Sequence, residues 1–297
     1  MVNRTYKPIF SETIDKDKEY DGQIPDIKPR EISVIIPVKD NQLGVDRFLR
    51  AFFRTQQKHH FPIEIIIIDN NSKKPIVIRD EFITNEVDIK LLSCKKLGPA
   101  AARNVGIFHS KGEWILFSDS DCIPTDSLIT GYIQSNTKAI AFAGNVKADN
   151  NSWLDGFYNR EHILLPRMKP NRNRELVPLY IVTANALVWK DALKKCGCFN
   201  EKFINAGGED VELSARLWQI GNLSFISESL VLHDFGSGVK DFFKRFFRYG
   251  KGNKQLENIR NISMRPVFKK PKKRTPLDFF AKLVLDTLIF LGYHMER

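Results

Sequence analysis

Apolar residues in the first part of the chain gather in short continuous runs, at Ile32–Val38, Ile63–Ile68, Ile89–Leu92 and Trp114–Phe117. Runs of strand length with no polar alternation suit strands covered on both faces, as in a parallel sheet. Between them the period changes. Val45–Gln57 gathers Phe48, Leu49, Phe52 and Phe53 on one side of a helix. Pro99–His109 opens with a proline, whose missing N–H costs nothing at a first helical position. The β-α-β-α-β order predicts an α/β fold with a doubly wound, mostly parallel sheet and helices on both faces.

The second half is less regular. Asn145–Pro178 mixes Asn, Pro and Arg with aromatics and is expected to be a long connection. An apolar stretch follows at Leu179–Trp189, then a short helix near Asp191–Lys195 and a Gly207-Gly208 turn into a helix at Glu209–Ile220. Leu230–Leu232 is strand-like. From Leu277 to Tyr293 the pattern is helical, with Asp278, Lys282 and Asp286 spaced by four as one polar stripe on an otherwise apolar surface.

Charge then changes the picture. The 297 residues carry a formal net charge of +11. Between Lys240 and Arg274 lie thirteen Lys or Arg and two acids (Asp241, Glu257), a difference of +11, so the rest of the chain is balanced. One local basic block points to an acidic partner or to a solvated tail. Hydrophobic content of 42% excludes wholesale disorder. Four cysteines are too few for a disulfide scaffold, and Cys196 and Cys198 lack zinc-finger spacing. Residues 1–30 are charged, without the apolar core of a secretory signal, and no apolar run reaches the ~18 residues of a spanning helix. The expectation is a cytoplasmic protein, peripheral on the inner face of the cell membrane if the C-terminal segment binds there.

Ligands of open α/β sheets sit beyond the carboxyl ends of the strands. Two strands are expected to end there in acid, Ile63–Ile68 in Asp69-Asn70-Asn71-Ser72 and Trp114–Phe117 in Ser118-Asp119-Ser120-Asp121. Two carboxylates one residue apart can hold a hard divalent cation with positions left for phosphate oxygens. Each motif alone also fits an ordinary Asx turn. The first strand leads into Pro37-Val38-Lys39-Asp40-Asn41 in place of a glycine-rich dinucleotide turn, and no P-loop is present.

Taken in order, Ser33–Pro37 with Asn41, Ile65–Ser72, Gly98–Asn104 with Gly106, Gly112–Asp121, and Gly208-Glu209-Asp210 with Leu213 and Arg216 resemble an inverting, GT-A-fold glycosyltransferase of family 2. The resemblance spans about Glu31 to Ser227. It implies a nucleotide-binding half at 31–121 and an acceptor-binding half at 122–252, flanked by a polar extension at 1–30 and a basic segment with an amphipathic helix at 253–297. It implies Mn²⁺ or Mg²⁺ as cofactor and a nucleotide-diphosphate sugar, a UDP-sugar foremost, as donor.

By resemblance, Pro37, Val38 and Asn41 lie beside the nucleotide base and Asp69 reads it. Arg103 contacts the nucleotide or its phosphates. Asp119 holds the ribose or sugar beside the metal, Asp121 binds the metal directly, and His233 is a further metal or diphosphate contact. Asp210 of the Glu209-Asp210 pair is the general base. Its place at a helix start is expected to lower its pKa and weaken it as a base. Arg245, Arg248, Tyr249 and Lys251 are expected to form a mobile lid over the diphosphate. Trp153, Tyr158 and Trp189 are candidates to stack on sugar rings.

Departures are few. Lys39-Asp40 replaces a frequent aromatic, Cys122 replaces a frequent third acid, and the Gln-x-x-Arg-Trp signature of processive synthases is absent, which favours transfer of one sugar. The acceptor stays open among a glycan, a lipid-linked saccharide and a protein side chain, and an oligomer is compatible with the sequence. The C-terminal segment suits either an anionic membrane surface or docking on protein. Two rival readings are a sugar-nucleotide nucleotidyltransferase and a non-catalytic scaffold that binds nucleic acid or membrane. The first lacks its glycine-rich loop. Intact acids argue against the second and make nucleic acid an improbable partner.

Overall fold

The computed structural model describes Tyr20 and residues 22–149, 152–171, 173–236, 238–260 and 275–296. Eight strands form one sheet in the order β3-β2-β1-β4-β9-β6-β10-β5. They are β1 (Ile32–Val38), β2 (Glu64–Asp69), β3 (Asp88–Ser93), β4 (Trp114–Ser118), β5 (Cys122–Pro124), β6 (Ala141–Ala148), β9 (Asn185–Trp189) and β10 (Leu223–His233). A separate hairpin pairs β7 (Met168–Pro170) with β8 (Leu176–Pro178). The helices are α1 (Gln42–Thr55), α2 (Pro99–His109), α3 (Ser127–Ile133), α4 (Trp153–Glu161), α5 (Lys190–Cys196), α6 (Glu209–Leu217), α7 (Val239–Arg260) and α8 (Pro276–Met295).

The first half follows the expected order. β3, β2, β1 and β4 are parallel neighbours, and Ile35 of β1 pairs with Ile66 of β2 and Phe117 of β4. Alternate residues of β1 feed opposite faces. Val34 and Ile36 pack with Phe48 and Phe52 of α1, whereas Ile35 packs with Ala100–Ala102 of α2. Small alanines let α2 lie close to the sheet, and Asn41 caps α1 by accepting from the Gly44 N–H, which is worth ~1 kcal/mol.

Beyond β4 the sheet departs from the parallel expectation. β9 runs antiparallel to both β4 and β6, and β5 antiparallel to β10. Asn145–Pro178 is not one long connection, since it holds the end of β6, α4 and the β7–β8 hairpin. The Leu179–Trp189 stretch yields only the five residues of β9. Asn185 at its start is fully buried, accepting from Tyr132 Oη at 2.8 Å and donating to the carbonyls of Asn145 and Ser229. That satisfied network joins β9, β6, β10 and α3.

The C-terminal helices form a third, smaller cluster. Phe242 and Phe246 of α7 pack with Phe157, Tyr158, Leu285 and Leu288. α7 and α8 meet at two glycines. A Cβ on Gly250 would lie 2.2 Å from the Ile289 carbonyl, and one on Gly292 would lie 2.0 Å from the Phe247 carbonyl. The Arg160 guanidinium grips Asp278 through Nε (3.1 Å) and Nη2 (2.6 Å), fastening α8 to α4. α8 is thus docked on the protein, and α7 runs unbroken across the boundary expected at residue 252. Lys269–Arg274, the densest part of the basic block, lies outside the described residues. Among the described residues no helix is long and apolar enough to cross a membrane.

Candidate active site

A cleft of about 800 Å³ opens at the carboxyl ends of β1 and β4. Pro37, Val38 and Asn41 line one wall, and Asp119 and Asp121 line the base. Glu209 and Asp210 enter from the start of α6, His233 from the end of β10, and Arg245 and Arg248 from α7. The chain therefore brings together acids that lie 90 residues apart in sequence, Asp119 with Glu209 and Asp121 with its neighbours (Asp119 and Glu209 share one arginine). Asn41 ties the first wall to the base, donating to Ser120 Oγ at 3.1 Å.

Arg103 is the centre of that arrangement. It is 3% exposed, and its two terminal nitrogens donate to Asp119 Oδ1 at 2.8 Å and Glu209 Oε1 at 3.0 Å. Its guanidinium also lies 5.6 Å from the Phe199 ring centroid. Arg103 lines the cleft, as expected, with two carboxylates paired to it. Lys39, Arg245 and Arg248 line the cleft as well. Arg245 stands 3.9 Å from Asp121 Oδ2 and over the Phe235 ring at 4.9 Å.

Asp69 sits at the end of β2, as expected, but its carboxylate is turned into its own loop and is not part of the cleft lining. It accepts from the Ser72 N–H at 2.9 Å and the Ile76 N–H at 3.1 Å. Although burial pulls the other way, those bonds hold its pKa below the usual range. The next residue, Asn70, does line the cleft. It accepts from the Gly98 N–H at 2.9 Å and so links β2 to the start of α2.

Asp210 differs from its expectation in the opposite sense. Gly207 and Gly208 have φ of 127° and 92°, a left-handed turn that glycine adopts at no steric cost. The Gly207 N–H donates to Glu209 Oε2 at 2.7 Å, which fixes Glu209 and leaves Asp210 facing the cleft. Burial and the neighbouring charge of Glu209 push the Asp210 pKa up to about 7, against the pull of Arg103 and the Val211 N–H. The lowering expected from the helix start is therefore overturned. The dipole acts on an exposed carboxylate by a fraction of a unit to a unit, whereas burial shifts carboxylates by several.

Asp121, Cys122 and His233 each bring a ligand atom within 4.8 Å of the others. Asp121 Oδ1 and His233 Nε2 are 3.3 Å apart. Burial holds the His233 pKa below its ordinary value, which favours the neutral ring a metal ligand requires. Its buried Nδ1 has no hydrogen-bond partner. The Cys122 thiol is pushed well above its usual value by burial and by Asp119 and Asp121, and it is a soft donor ill matched to Mg²⁺ or Mn²⁺. Asp121 and His233 could hold such an ion. Asp119 stands outside this group with one oxygen committed to Arg103.

The expected lid is a wall. Arg245, Arg248 and Tyr249 do line the cleft, but they belong to a 22-residue helix packed against α8. Lys251 pairs with Glu296 at 3.1 Å and does not line it. Trp153, Tyr158 and Trp189 do not line it either. Tyr158 stacks on Phe235 at 4.1 Å inside the third cluster, and Trp189 packs edge-on to Tyr20. Tyr180, Thr183 and Asn205 line the cleft and were not foreseen, since single polar residues in irregular chain carry no pattern.

An α/β sheet with acids gathered at its strand ends is an arrangement compatible with a nucleotide-sugar transferase fold. The family model described as Glycosyl transferase family 2 matches residues 33–197, more than half of the chain. The chain belongs to that family and is a glycosyltransferase of GT-A fold. It is 27% identical over 237 residues to the pre-mycofactocin glycosyltransferase of Mycobacterium tuberculosis, covering 74% of this chain but 46% of that protein. It thus spans about half the length of that relative. It is 28% identical over 247 residues to the glycosyltransferase AglE of Haloferax volcanii, covering 80% of this chain and 77% of AglE. Among solved structures it resembles the mannosyltransferase PcManGT of Pyrobaculum calidifontis, in complex with GDP-Man and Mn²⁺, with a TM-score of 0.55, 13% identity and coverage of 96% and 78%. Staphylococcus aureus TarS 1-349 in complex with UDP-GlcNAc gives 0.53, 15%, and 90% and 74%. At such identities these two likenesses speak for the fold.

Proposed function

We propose that this glycosyltransferase moves one sugar from a nucleotide-diphosphate sugar to an acceptor hydroxyl by a single displacement that inverts the anomeric centre. The observation that carries the reading is Asp210, a carboxylate facing the cleft with its pKa pushed up to about 7. A base is most effective when its pKa lies near the working pH, where it is both ionised and willing to take a proton. Asp210 takes the proton of the attacking hydroxyl. Glu209, clamped by Arg103 and the Gly207 N–H, keeps the turn that presents Asp210 in place.

The donor lies along Pro37, Val38 and Asn41 with its diphosphate toward Asp121, Arg245 and Arg248. These two arginines balance the charge that grows on the departing diphosphate. Asp121 and His233 would hold Mn²⁺ or Mg²⁺, which supplies Lewis-acid neutralisation of the phosphate oxygens when bound. That PcManGT and TarS were solved with GDP-Man and UDP-GlcNAc supports a nucleotide-sugar donor, and a UDP-sugar is our first choice. The acceptor is a glycan, a lipid-linked saccharide or a protein side chain, reached past Tyr180 and Thr183.

Two tests follow. Asp210→Asn removes the base with little change of shape, so transfer falls by ~10²–10⁴-fold while nucleotide-sugar binding, followed by calorimetry, persists. Retained turnover overturns the assignment. NMR of the product formed from a nucleotide α-sugar shows a β-linkage, and an α-linkage refutes single displacement.

A further inference from the structure

Two buried glycines, Gly250 and Gly252, stand two residues apart within α7. Glycine weakens a helix interior relative to alanine, so each position calls for a reason beyond the helix itself. At about 100° per residue the two point to opposite sides. Gly250 faces the Ile289 carbonyl of α8. Gly252 faces the glycine turn of the cleft. A Cβ there would lie 2.2 Å from the Gly207 carbonyl oxygen and 3.0 Å from the Gly207 Cα. From the other side, a Cβ on Gly208 would lie 3.0 Å from the Gly252 carbonyl oxygen. Two backbones rest against each other with no side chain between them.

What rests on α7 is the turn that presents Asp210. The Gly207 N–H donates to Glu209 Oε2 at 2.7 Å, and Glu209 accepts from Arg103 with its other oxygen. A displacement of Gly207 is therefore passed on to Asp210, three residues along. A second clasp joins the same two helices farther on. Glu212 of α6 is fully buried and accepts from Arg260 Nε of α7 and from Arg216 Nη2, each at 2.6 Å. Leu256, one turn beyond Gly252, is fully buried in the cluster that holds Val211, Leu213 and Leu217 of α6. The first half of α7 packs elsewhere, through Phe242 and Phe246, and carries Arg245 and Arg248 into the cleft. One helix thus connects the cleft arginines to the turn of the base.

We propose that Gly252 is a positioning residue for sugar transfer. By letting α7 lie against Gly207 it fixes the turn that aims Asp210 into the cleft, and the Glu212–Arg260 pair keeps the two helices in register. This role, which rests on the reading of Asp210 as the base, is exerted through Gly207, since Gly252 itself does not line the cleft. A base tolerates little misplacement, because an error of about 1 Å can cost on the order of 10²-fold in rate.

The test compares Gly252→Ala with Gly250→Ala in the full chain, the second substitution meeting a carbonyl oxygen at the same 2.2 Å on the other side of the helix. Release of nucleoside diphosphate is followed with Mn²⁺ and whichever UDP-, GDP- or TDP-sugar the wild type turns over fastest. Gly252→Ala should lower kcat by about tenfold or more while the donor KM stays within about twofold. Gly250→Ala should lower the melting temperature without that selective loss. Amide exchange over residues 204–214 should be faster in Gly252→Ala and unchanged in Gly250→Ala. Arg260→Met loosens the same helix pair without a clash and should give a smaller loss of kcat, which Arg260→Lys recovers. Wild-type kcat and exchange in both Gly252→Ala and Arg260→Met would overturn the proposal. So would equal kcat losses in the two glycine variants, the mark of general destabilisation, or a raised donor KM at unchanged kcat, which would leave α7 placing only Arg245 and Arg248. An inactive Asp210→Asn beside an unaffected Gly252→Ala ends this role alone, whereas full turnover by Asp210→Asn ends the base assignment with it.

Discussion

At the start of α6 the helix dipole favours a charged carboxylate, and burial beside Glu209 disfavours it. For Asp210 the second effect wins and its pKa rises to about 7. Two consequences can be measured. Transfer should rise with pH through about 7 as Asp210 loses its proton, and Asp210→Asn should show no such limb. Stability moves the other way. The folded protein holds this proton well above the ordinary value of 3.8, so the group's contribution is fully present below that value and is lost as pH rises through about 7. The melting temperature of Asp210→Asn relative to wild type should therefore climb between about pH 4 and pH 7, and parallel curves would show that Asp210 is an ordinary carboxylate. Arg103 makes a sharper case. Arg103→Met leaves Asp119 and Glu209 without their shared cation in a buried setting, a loss of about 3–5 kcal/mol in urea unfolding. A loss under ~1 kcal/mol would mean that the bridge is not formed.

The elements that were legible in the sequence are those with a strong local period. Ile32–Val38 and Pro99–His109 have the bounds their patterns predict, because a continuous β-branched run and an N-terminal proline are local signals. β5, with three residues, and β6, whose Gly144-Asn145 interrupts an apolar run, carry no such signal. They exist because Asn185 and neighbouring strands satisfy their backbone. α7 was legible as a basic stretch but not as a wall of the cleft, since only its packing on α8 places Arg245 inside. That packing depends on close approach at two glycines. Gly250→Leu should lower stability by at least ~1–3 kcal/mol and detach α8, visible as faster amide exchange over 276–295. Unchanged exchange would contradict the docked arrangement.

Across the whole molecule, acids and cations from separate segments meet in one cleft, Asp119, Asp121, Glu209 and Asp210 with Arg103, Arg245 and Arg248. The sequence placed Asp119, Asp121, Asp210 and His233 as candidates, and the fold brings all four to one cleft. It could not show that Arg103 bridges Asp119 and Glu209 or that Asp69 caps its own turn, because both depend on contacts made through space. His233 is a ligand candidate at the same scale, joining the last sheet strand to the Asp121 loop. His233→Ala should weaken Mn²⁺ affinity by ~10-fold or more in calorimetry with nucleotide present, and unaltered affinity would remove it from the ion site.

The central claim is that acids from separate segments act together on a nucleotide sugar. Its most direct measurement is release of nucleoside diphosphate from a panel of nucleotide sugars, with Mn²⁺ and with a chelator, by the wild type, Asp121→Ala and Asp210→Asn. The account predicts release of one nucleotide by the wild type, loss of release with chelator or Asp121→Ala, and much slower release with Asp210→Asn. Release that is unaffected by both substitutions, or none from any nucleotide sugar offered, would contradict it.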